Sequence, residues 1–232
     1  MLILRRVGNY SVKARLGGGR YGICYLAEDQ KGNPVVLKRF RRRMRKKNKE
    51  KNHHEAVILS NLCHPAIPQL LGVINHAKGY FFVLEYKRGD SLEKLLFRQR
   101  KRFSGADVFR IGSQLLDVMA YLHQRGIVHR DISISNVLDT GYHVSLVDFG
   151  LARYANADTF PFSLDYSCFG NLLLYLLYSS YCGKGNSGAW HQELPLSEEK
   201  RQYLMRLMGL AEPFPNTEEV CRQFSVFFPP QK

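Results

Sequence analysis

The sequence predicts an α+β fold with two lobes, a β-rich N-terminal lobe and a mostly helical C-terminal lobe. Residues 10–86 consist of short runs rich in β-branched and aromatic side chains, separated by turn residues, which is typical of strands. Residues 91–232 instead place apolar side chains three and four positions apart, as helices do. The chain has 232 residues, 45% of them hydrophobic, which suits one compact domain. We therefore expect a single domain over residues 1–232, with an N-terminal lobe at about 1–86 and a C-terminal lobe at about 91–232.

The N-terminal lobe is predicted to be a five-stranded antiparallel sheet with one helix. The strand-like runs are residues 10–16, 23–28, 34–40, 69–74 and 80–86. Turn clusters separate several of these runs, and such short connections favour antiparallel neighbours. The helix is predicted over residues 48–62, because its apolar side chains share one face and His64-Pro65 then ends it.

The C-terminal lobe is predicted to be helical with two short strands. The predicted helices are 92–99, 104–124, 167–178, 197–209 and 216–224, and the strands are 137–138 and 144–147. Ser91 and Ser104 precede the first two helices, where a hydroxyl can accept from the N–H groups of a first turn. Near the end of the lobe we expect Met205, Leu207 and Leu210 to pack inward.

Positive charge is concentrated in one segment of the chain. The net charge is +14, and residues 38–51 hold ten Lys or Arg and one Glu. A second basic cluster spans residues 98–102. Such a segment either keeps the protein in solution or, through residues 39–51, docks to an acidic protein, a nucleic acid or an anionic membrane. Phe40 is the only aromatic residue in the run, so base stacking has little support.

Several classes of protein are disfavoured by the sequence. No apolar run reaches about 18 residues, so we expect no transmembrane segment. The apolar run at the N-terminus is too short for a signal peptide. The five cysteines are odd in number and far apart, which indicates free thiols in a reducing compartment. We therefore expect a cytoplasmic protein.

Two motifs in the C-terminal lobe place acids and an amide at a spacing that suits phosphoryl transfer. The run from His129 to Asn136 contains Asp131, and Asp148-Phe149-Gly150 follows twelve residues later. One acid can accept the proton of an incoming hydroxyl. The amide and the other acid can hold magnesium ions against a triphosphate.

Two further features of the N-terminal lobe fit the same chemistry. Gly17, Gly19 and Gly22 lie between two predicted strands, where backbone N–H groups can approach phosphate oxygens because no Cβ intervenes. A strand follows these glycines, whereas a dinucleotide-binding fold needs a helix there. Lys38 ends an apolar strand and needs a counter-charge, for which Glu55 on the predicted helix is the candidate.

Taken in order, these motifs resemble a protein kinase domain of the eukaryotic-like (Hanks) type that also occurs in bacteria. The resemblance spans roughly residues 10–178. It includes the glycine loop, Lys38, Glu55, and the segments 62–67, 82–86, 129–136 and 148–150. The resemblance implies a two-lobed protein-kinase-like fold whose C-terminal lobe is truncated at its end.

The resemblance also implies roles for individual residues, with ATP and Mg²⁺ as cofactors. Lys38 would hold the α- and β-phosphates and pair with Glu55, while Asp148 and Asn136 would bind magnesium. Asp131 would orient the substrate hydroxyl and accept its proton. Asp165 would support the backbone of the catalytic loop. Backbone groups of Glu85 and Lys87 would meet the adenine edge, and Leu84 would guard the pocket behind it. The side chains that would sandwich the adenine ring are Leu16, Cys24, Val36 and Leu138.

Three departures from the family pattern concern the substrate side of the site. Ser133 stands where serine/threonine kinases usually have a lysine near the γ-phosphate. Only residues 151–164 separate Gly150 from Asp165, and this segment has no Ala-Pro-Glu. The arginine that normally pairs with that glutamate is also missing from residues 212–217.

The sequence thus predicts an ATP-dependent, minimal serine/threonine protein kinase that phosphorylates a protein or itself. A phosphate on Tyr154, Thr159 or Ser163 could dock to Arg130. One alternative is a pseudokinase that binds nucleotide without turnover. The other is a small-molecule kinase, which needs no peptide platform.

Overall fold

The computed structural model describes residues 5–18, 22–40, 49–183 and 188–229, with no side-chain description for residues 49–53. The chain divides into two compact units, Met1–Lys87 and Arg88–Lys232. The first is mainly β-sheet and the second mainly helical, which confirms the predicted α+β class. That both units work as one domain remains a prediction. No helix in the described ranges is long and apolar enough to cross a bilayer.

The first unit is built on a six-stranded antiparallel sheet with the order β1-β2-β3-β4-β6-β5. The strands are Arg6–Val7, Tyr10–Gly18, Gly22–Glu28, Pro34–Phe40, Leu70–His76 and Gly79–Glu85, numbered β1 to β6. The sequence predicted five strands, and the additional one is β1. With two residues it is too short to show alternation, and Gly8 (φ +55°) turns the chain so that Val7 pairs with Tyr10.

The sheet buries a core on one of its faces. This core contains Val7, Ala27, Val35, Leu37, Phe81 and Val83. In β4, Val35 and Leu37 point into it, so Val36 and Lys38 lie on the opposite face. Helix α1, Lys49–Ser60, connects β4 to β5 close to the predicted bounds.

The second unit contains five α-helices, one π-helical turn and five short strands within the described ranges. The strands are Asp90–Ser91, Ile127–Val128, Val137–Asp139, Val144–Leu146 and Arg153–Tyr154, numbered β7 to β11. The π-turn is Lys94–Arg98, and the helices α2 to α6 are Gly105–His123, Ser163–Ser180, Trp190–Glu193, Glu198–Leu207 and Thr217–Phe227. These strands form two small sheets, β10-β9-β7 and β11-β8.

Helix α2 is the central helix of this unit. Ser104 caps it, because its hydroxyl accepts from the Asp107 N–H while the Asp107 carboxylate accepts from the Ser104 N–H. At Gly112 helix α6 comes so close that an added Cβ would lie 2.2 Å from the Phe224 ring. Gly126 (φ +66°) turns the chain after α2 into β8, which leads directly to His129.

Several details of the second unit differ from the sequence prediction. It has five short strands where two were predicted, and β7, β8 and β11 are the additional ones. Residues 94–98 form a π-turn rather than part of an α-helix over 92–99. Helix α3 begins at Ser163, before the predicted start at 167, and the four-residue helix α4 was not predicted. Leu207 is buried as expected, but Leu210 is 57% exposed because Gly209 (φ +71°) turns the chain after α5.

Candidate functional site

Lys38 and Glu55 form a buried ion pair in the first unit. The Nζ of Lys38, on β4, lies 2.5 Å from Oε1 of Glu55, on α1. Both side chains are almost fully buried. A buried charge is tolerated only when it is paired, so each residue depends on the other.

The strand register places four predicted nucleotide-binding residues on one sheet face. Cys24 is directly opposite Lys38 in the β3–β4 pair, and Val36 is directly opposite Leu84 in the β4–β6 pair. Directly opposed residues share a face, and Val36 and Lys38 share one because they are two apart. Cys24, Val36, Lys38 and Leu84 therefore line the face that points away from the core.

The two described glycines of the predicted loop differ in their surroundings. Among the described residues, a Cβ added to Gly17 would meet no atom within 4 Å, whereas one on Gly22 would lie 2.6 Å from the Arg39 carbonyl oxygen. Gly22 is thus required by the close approach of β3 to β4, and no described atom imposes a glycine at position 17. Gly19 lies outside the described residues.

The segment after β6 is tied to residues 65–69. The Glu85 N–H donates to the Gln69 carbonyl at 2.9 Å. Lys87 Nζ donates to the Pro65 carbonyl and to the Glu85 carboxylate, both at 2.7 Å. These bonds fix the backbone that the resemblance assigns to the adenine edge.

In the second unit, Asp165 holds the backbone of the loop that follows β8. Its carboxylate accepts from the His129 N–H at 2.8 Å and from the Arg130 N–H at 2.7 Å. Arg130 has a φ of +68°, a left-handed conformation that costs a non-glycine residue about 1–3 kcal/mol. Asp165 is fully buried and thus stabilises this strained loop, as the resemblance implied.

Three side chains that the sequence reading missed complete this arrangement. His123 Nε2 lies 3.0 Å from Asp165 Oδ2, and its Nδ1 lies 2.7 Å from the Thr217 hydroxyl. The Tyr166 hydroxyl lies 2.9 Å from the same Thr217 oxygen. Thr217 is at the N-terminus of α6, in the stretch where the sequence showed a missing arginine, but it is 94 residues from His123 along the chain. Nothing in the sequence links the two.

Asp131 and Asn136 are joined within the same loop. The Asn136 side-chain amide donates to the Asp131 carbonyl at 3.0 Å, so its own oxygen remains available as a ligand. Partial burial raises the pKa of the Asp131 carboxyl, and the negative charge of Asp148 raises it further. Hydrogen bonds from Asn136 and Ser133 lower this pKa, but the net shift is upward. A raised pKa makes a carboxylate a stronger proton acceptor.

Asp148 is exposed and strained, whereas the next residue is buried. Asp148 has a φ of +65°, and its carboxylate accepts from the Gly150 N–H at 3.2 Å. The Phe149 ring packs edge-on against the His129 ring, with centroids 4.6 Å apart. The buried Phe149 thus anchors the motif and the exposed carboxylate of Asp148 faces outward.

The short segment after Gly150 packs against Arg130. Arg130 donates to the Leu151 carbonyl at 3.2 Å, and its guanidinium carbon lies 4.4 Å from the Phe160 ring centroid. Strand β11 pairs with β8, and Asn156 bridges to Phe160. Since α3 begins at Ser163, the segment is even shorter than predicted, and Arg130 already has partners where a phosphate was expected.

The structure gathers the predicted residues into two groups. The first unit contains Cys24, Val36, Lys38, Glu55 and Leu84, together with the anchored segment at 85–87. The second unit contains Asp131, Asn136, Leu138 and Asp148, with Leu138 half-buried in β9. Most of the basic run, residues 41–48, lies outside the described residues.

The available ligands fit a magnesium ion shared with phosphate oxygens. Asp148 offers a carboxylate and Asn136 an amide oxygen, and Mg²⁺ prefers oxygen ligands. Within the described ranges no cluster of three or more His, Cys, Asp or Glu side chains could hold a metal by itself. Mg²⁺ is commonly held by one or two carboxylates plus substrate phosphates, so this donor set is compatible with it.

Comparisons with known proteins place the chain among the protein kinases. Residues 10–170 match the family described as protein kinase domain. The chain is 34% identical over 220 residues to the probable serine/threonine-protein kinase YbdM of Bacillus subtilis (strain 168), covering 91% of this chain and 86% of that protein. Human cyclin-dependent kinase 10 is 38% identical over 159 residues, covering 64% of this chain and 42% of its own length.

A third relative is the hormonally up-regulated neu tumor-associated kinase of Mus musculus, 34% identical over 161 residues and 65% of this chain. The chain spans only 22% of that protein and less than half of the cyclin-dependent kinase. The match to the Bacillus protein extends over both units, so the likeness is not restricted to the motifs. The chain belongs to the protein kinase domain family, whose members catalyse phosphoryl transfer.

Proposed function

We propose that this protein is a minimal serine/threonine kinase that transfers the γ-phosphoryl group of Mg²⁺-ATP to a hydroxyl of a protein or of itself. The observation that carries the proposal is the loop from His129 to Asn136. There the buried Asp165 holds a strained backbone, and the amide of Asn136 bonds to the Asp131 carbonyl. The loop thereby fixes a carboxylate with a raised pKa beside an amide oxygen.

Each proposed role uses the chemistry of the side chain at its observed place. Lys38 is held by Glu55 and offers a positive charge for phosphate oxygens. Asp131 accepts the proton of the substrate hydroxyl, and Asn136 and Asp148 hold magnesium. The magnesium ion neutralises charge on the phosphates when bound. Most of the rate enhancement in such sites comes from positioning and electrostatics.

A pseudokinase is the second candidate, and Ser133 is the observation that favours it. The hydroxyl of Ser133 lies 3.0 Å from the Ser135 hydroxyl and carries no charge for the γ-phosphate. Retention of Lys38, Glu55, Asp131, Asn136 and Asp148 supports turnover instead. We therefore favour an active enzyme with a low rate.

The deciding experiment is a labelling assay. Purified protein is incubated with radiolabelled ATP, magnesium and a generic protein substrate, with and without EDTA. We expect label in the protein fraction with the wild type and magnesium, and none with Asp131→Asn. A magnesium-ATP thermal shift retained by Asp131→Asn shows that this variant still folds and binds. Wild-type protein that shows the thermal shift but no labelling supports the pseudokinase. In a parallel reaction that also contains a metabolite extract, label in small metabolites alone supports the small-molecule kinase.

The Ser133→Lys variant separates a slow kinase from an inactive one. A lysine at this position adds a positive charge next to the transferred phosphate, so a slow kinase should become faster. We expect about a tenfold rise in kcat, which corresponds to about 1.4 kcal/mol of transition-state stabilisation. Ser135→Lys is the matched control, since it adds the same charge two residues further on. Equal rates for both variants and wild type would argue against the assigned role of position 133.

We further propose that the protein acts in the cytoplasm and that residues 39–51 dock an acidic partner protein. The charge density of the run supports docking. Neutralising Arg41, Arg42, Arg43, Lys46 and Lys47 should weaken partner binding and leave ATP affinity unchanged. Binding that does not vary across a salt series would contradict an electrostatic role.

A further inference from the structure

The second unit has a groove that the proposed chemistry does not use. It lies between the segment 96–102 and helix α3, and its volume is about 690 Å³. We call it the aromatic groove. Its lining residues are Leu96, Phe97, Arg100, Lys101, Arg102, Asn171, Leu174, Tyr175, Tyr178, Ser179 and Trp190. None of them is an acid, so apolar rings and positive charge meet in one place.

Large apolar side chains are exposed at this groove. Phe97 is 63% exposed and Tyr175 is 49% exposed, and their rings meet edge to face with centroids 6.3 Å apart. Leu174 and Trp190 extend the apolar surface. Adjacent exposed aromatic rings are a common feature of protein-binding surfaces, where they serve as anchor sites.

The positive charge of the groove comes from Arg100, Lys101 and Arg102. In the described part of the chain, neither Arg100 nor Arg102 has a carboxylate within ion-pair distance, whereas Lys101 lies 3.7 Å from both Asp107 and Asp139. The Tyr178 hydroxyl donates to Glu193 at 2.8 Å. An acidic ligand would therefore place its charges at residues 100–102.

Hydrogen bonds hold the groove wall in place. Asp90 accepts from Lys94 Nζ at 2.6 Å and from the Gln99 amide at 2.7 Å, which closes the π-turn. Ser179 accepts from the Phe103 N–H at 2.8 Å, and Ser180 donates to the Phe103 carbonyl. Between these two attachments Arg100 adopts a φ of +53°, a conformation that a non-glycine residue keeps only when its surroundings impose it.

We propose that the aromatic groove docks an acidic segment of a protein substrate, with an apolar side chain packed against the exposed rings of Phe97 and Tyr175 and carboxylates at Arg100 and Arg102. The lining joins exposed aromatic rings to three neighbouring basic residues and contains no acid, which fits an acidic peptide with one apolar side chain. A nucleic acid strand would require a longer basic track with open ring faces for stacking. Docking here would compensate for the short segment after Gly150. The inference rests on the proposed function, since it names the class of protein substrate.

The test is binding of a labelled peptide, measured by fluorescence anisotropy in the absence of ATP. The probe carries one leucine flanked by glutamates, and a matched probe carries glutamines instead. We expect the acidic probe to bind more tightly and to weaken as salt increases. Phe97→Ser and the double variant Arg100→Glu/Arg102→Glu should each reduce affinity at least about tenfold, as expected for an anchor residue. Tyr142→Ser and Lys31→Glu are matched controls at exposed positions outside the groove.

Two results would overturn the proposal. One is equal affinity of the groove variants, the controls and wild type for the acidic probe. The other is a single-stranded oligonucleotide that displaces the probe and depends on the same groove residues, which would assign the surface to nucleic acid. Asp131→Asn should bind the probe as wild type does. Peptide binding is therefore measured without phosphoryl transfer. A protein that binds the probe but transfers no phosphate would contradict the proposed function and leave the docking proposal intact.

Discussion

The guanidinium of Arg130 stacks on the ring of Phe160, with 4.4 Å between its central carbon and the ring centroid. The same side chain donates to the Leu151 carbonyl, so both ends of the segment after Gly150 contact one arginine. Asn156 and Phe160 exchange backbone hydrogen bonds at 3.2 and 2.8 Å, which closes the turn that presents the ring. The segment is thus held by the chain itself, without an added phosphate.

Removing the ring should loosen this segment. Phe160→Ala loses a cation–π contact of about 0.5–1 kcal/mol, so the Ala155 and Phe160 amides should exchange about 2- to 5-fold faster. Amide hydrogen exchange followed by mass spectrometry measures this. Tyr154→Ala, at an exposed position in the same segment, is the control and should change little. Unchanged exchange in Phe160→Ala would show that the stacking does not hold the segment.

Phosphatase treatment should have little effect on activity. Because Arg130 already contacts Leu151 and Phe160, a phosphate on Thr159 is not needed to order the segment. We expect treated and untreated enzyme to differ less than about twofold in kcat, a difference below about 0.4 kcal/mol. The labelling assay on both samples measures it. A large loss of kcat on treatment, absent in Thr159→Ala, would show that phosphorylation activates the protein.

The Lys38–Glu55 pair calls for a stability measurement beside the activity assay. Lys38→Met removes the ammonium partner of a buried carboxylate, which costs about 3–5 kcal/mol. The double variant Lys38→Met/Glu55→Leu should regain most of that stability, because it removes both charges, and should still lack activity. Urea unfolding of the wild type, both single variants and the double variant gives the interaction free energy between Lys38 and Glu55. If the double variant is no more stable than Lys38→Met, the loss of the ion pair is not the main cause of the lower stability of Lys38→Met.

Thr217 is expected to act on the catalytic loop at a distance. Thr217→Val removes the hydroxyl partner of His123 and Tyr166 and should cost about 1–3 kcal/mol of unfolding free energy. Since His123 also bonds Asp165, kcat should fall while KM for ATP stays unchanged. Thr159→Val, at an exposed position, is the control. A loss of stability with normal kcat in the folded fraction would leave Thr217 a purely structural role.

The elements that the sequence predicted well are those long enough to show a period. Strand Pro34–Phe40 and helix Gly105–His123 match their predictions closely, because their apolar residues follow the two- and three-to-four-residue spacings and Ser104 marks the helix start. Arg6–Val7 and Trp190–Glu193 were missed because two and four residues cannot display a period.

The sequence also fell short where the site depends on tertiary contacts. His123 and Thr217 come together only when α2 and α6 pack. No local sequence pattern predicts a contact between two residues that are 94 positions apart in the chain. The stacking of Arg130 on Phe160 likewise depends on the turn at 156–160. The motif residues could be proposed from the sequence alone because their spacing along the chain is itself the signal.

The glycines at 17 and 22 should respond differently to the same substitution. Gly22→Ala brings a methyl group against the Arg39 carbonyl and should destabilise the protein by about 1–3 kcal/mol. The methyl group of Gly17→Ala meets no atom of the described residues, so the fold should be unchanged, while the proposed phosphate contact predicts a higher KM for ATP. Thermal unfolding and ATP titration of both variants measure this. Equal stability of the two variants would contradict the packing role of Gly22.

The close contact between Gly22 and the Arg39 carbonyl also affects how distant relatives should be classified. Retention of glycine at the position of Gly22 reports that two strands still touch, and gives no information about whether a ligand is still bound. Loss of the glycine equivalent to Gly17 is the more informative change, since none of the described residues would contact a side chain at that position. A survey that weighs these two positions equally would count some relatives as nucleotide binders on the strength of sheet packing alone.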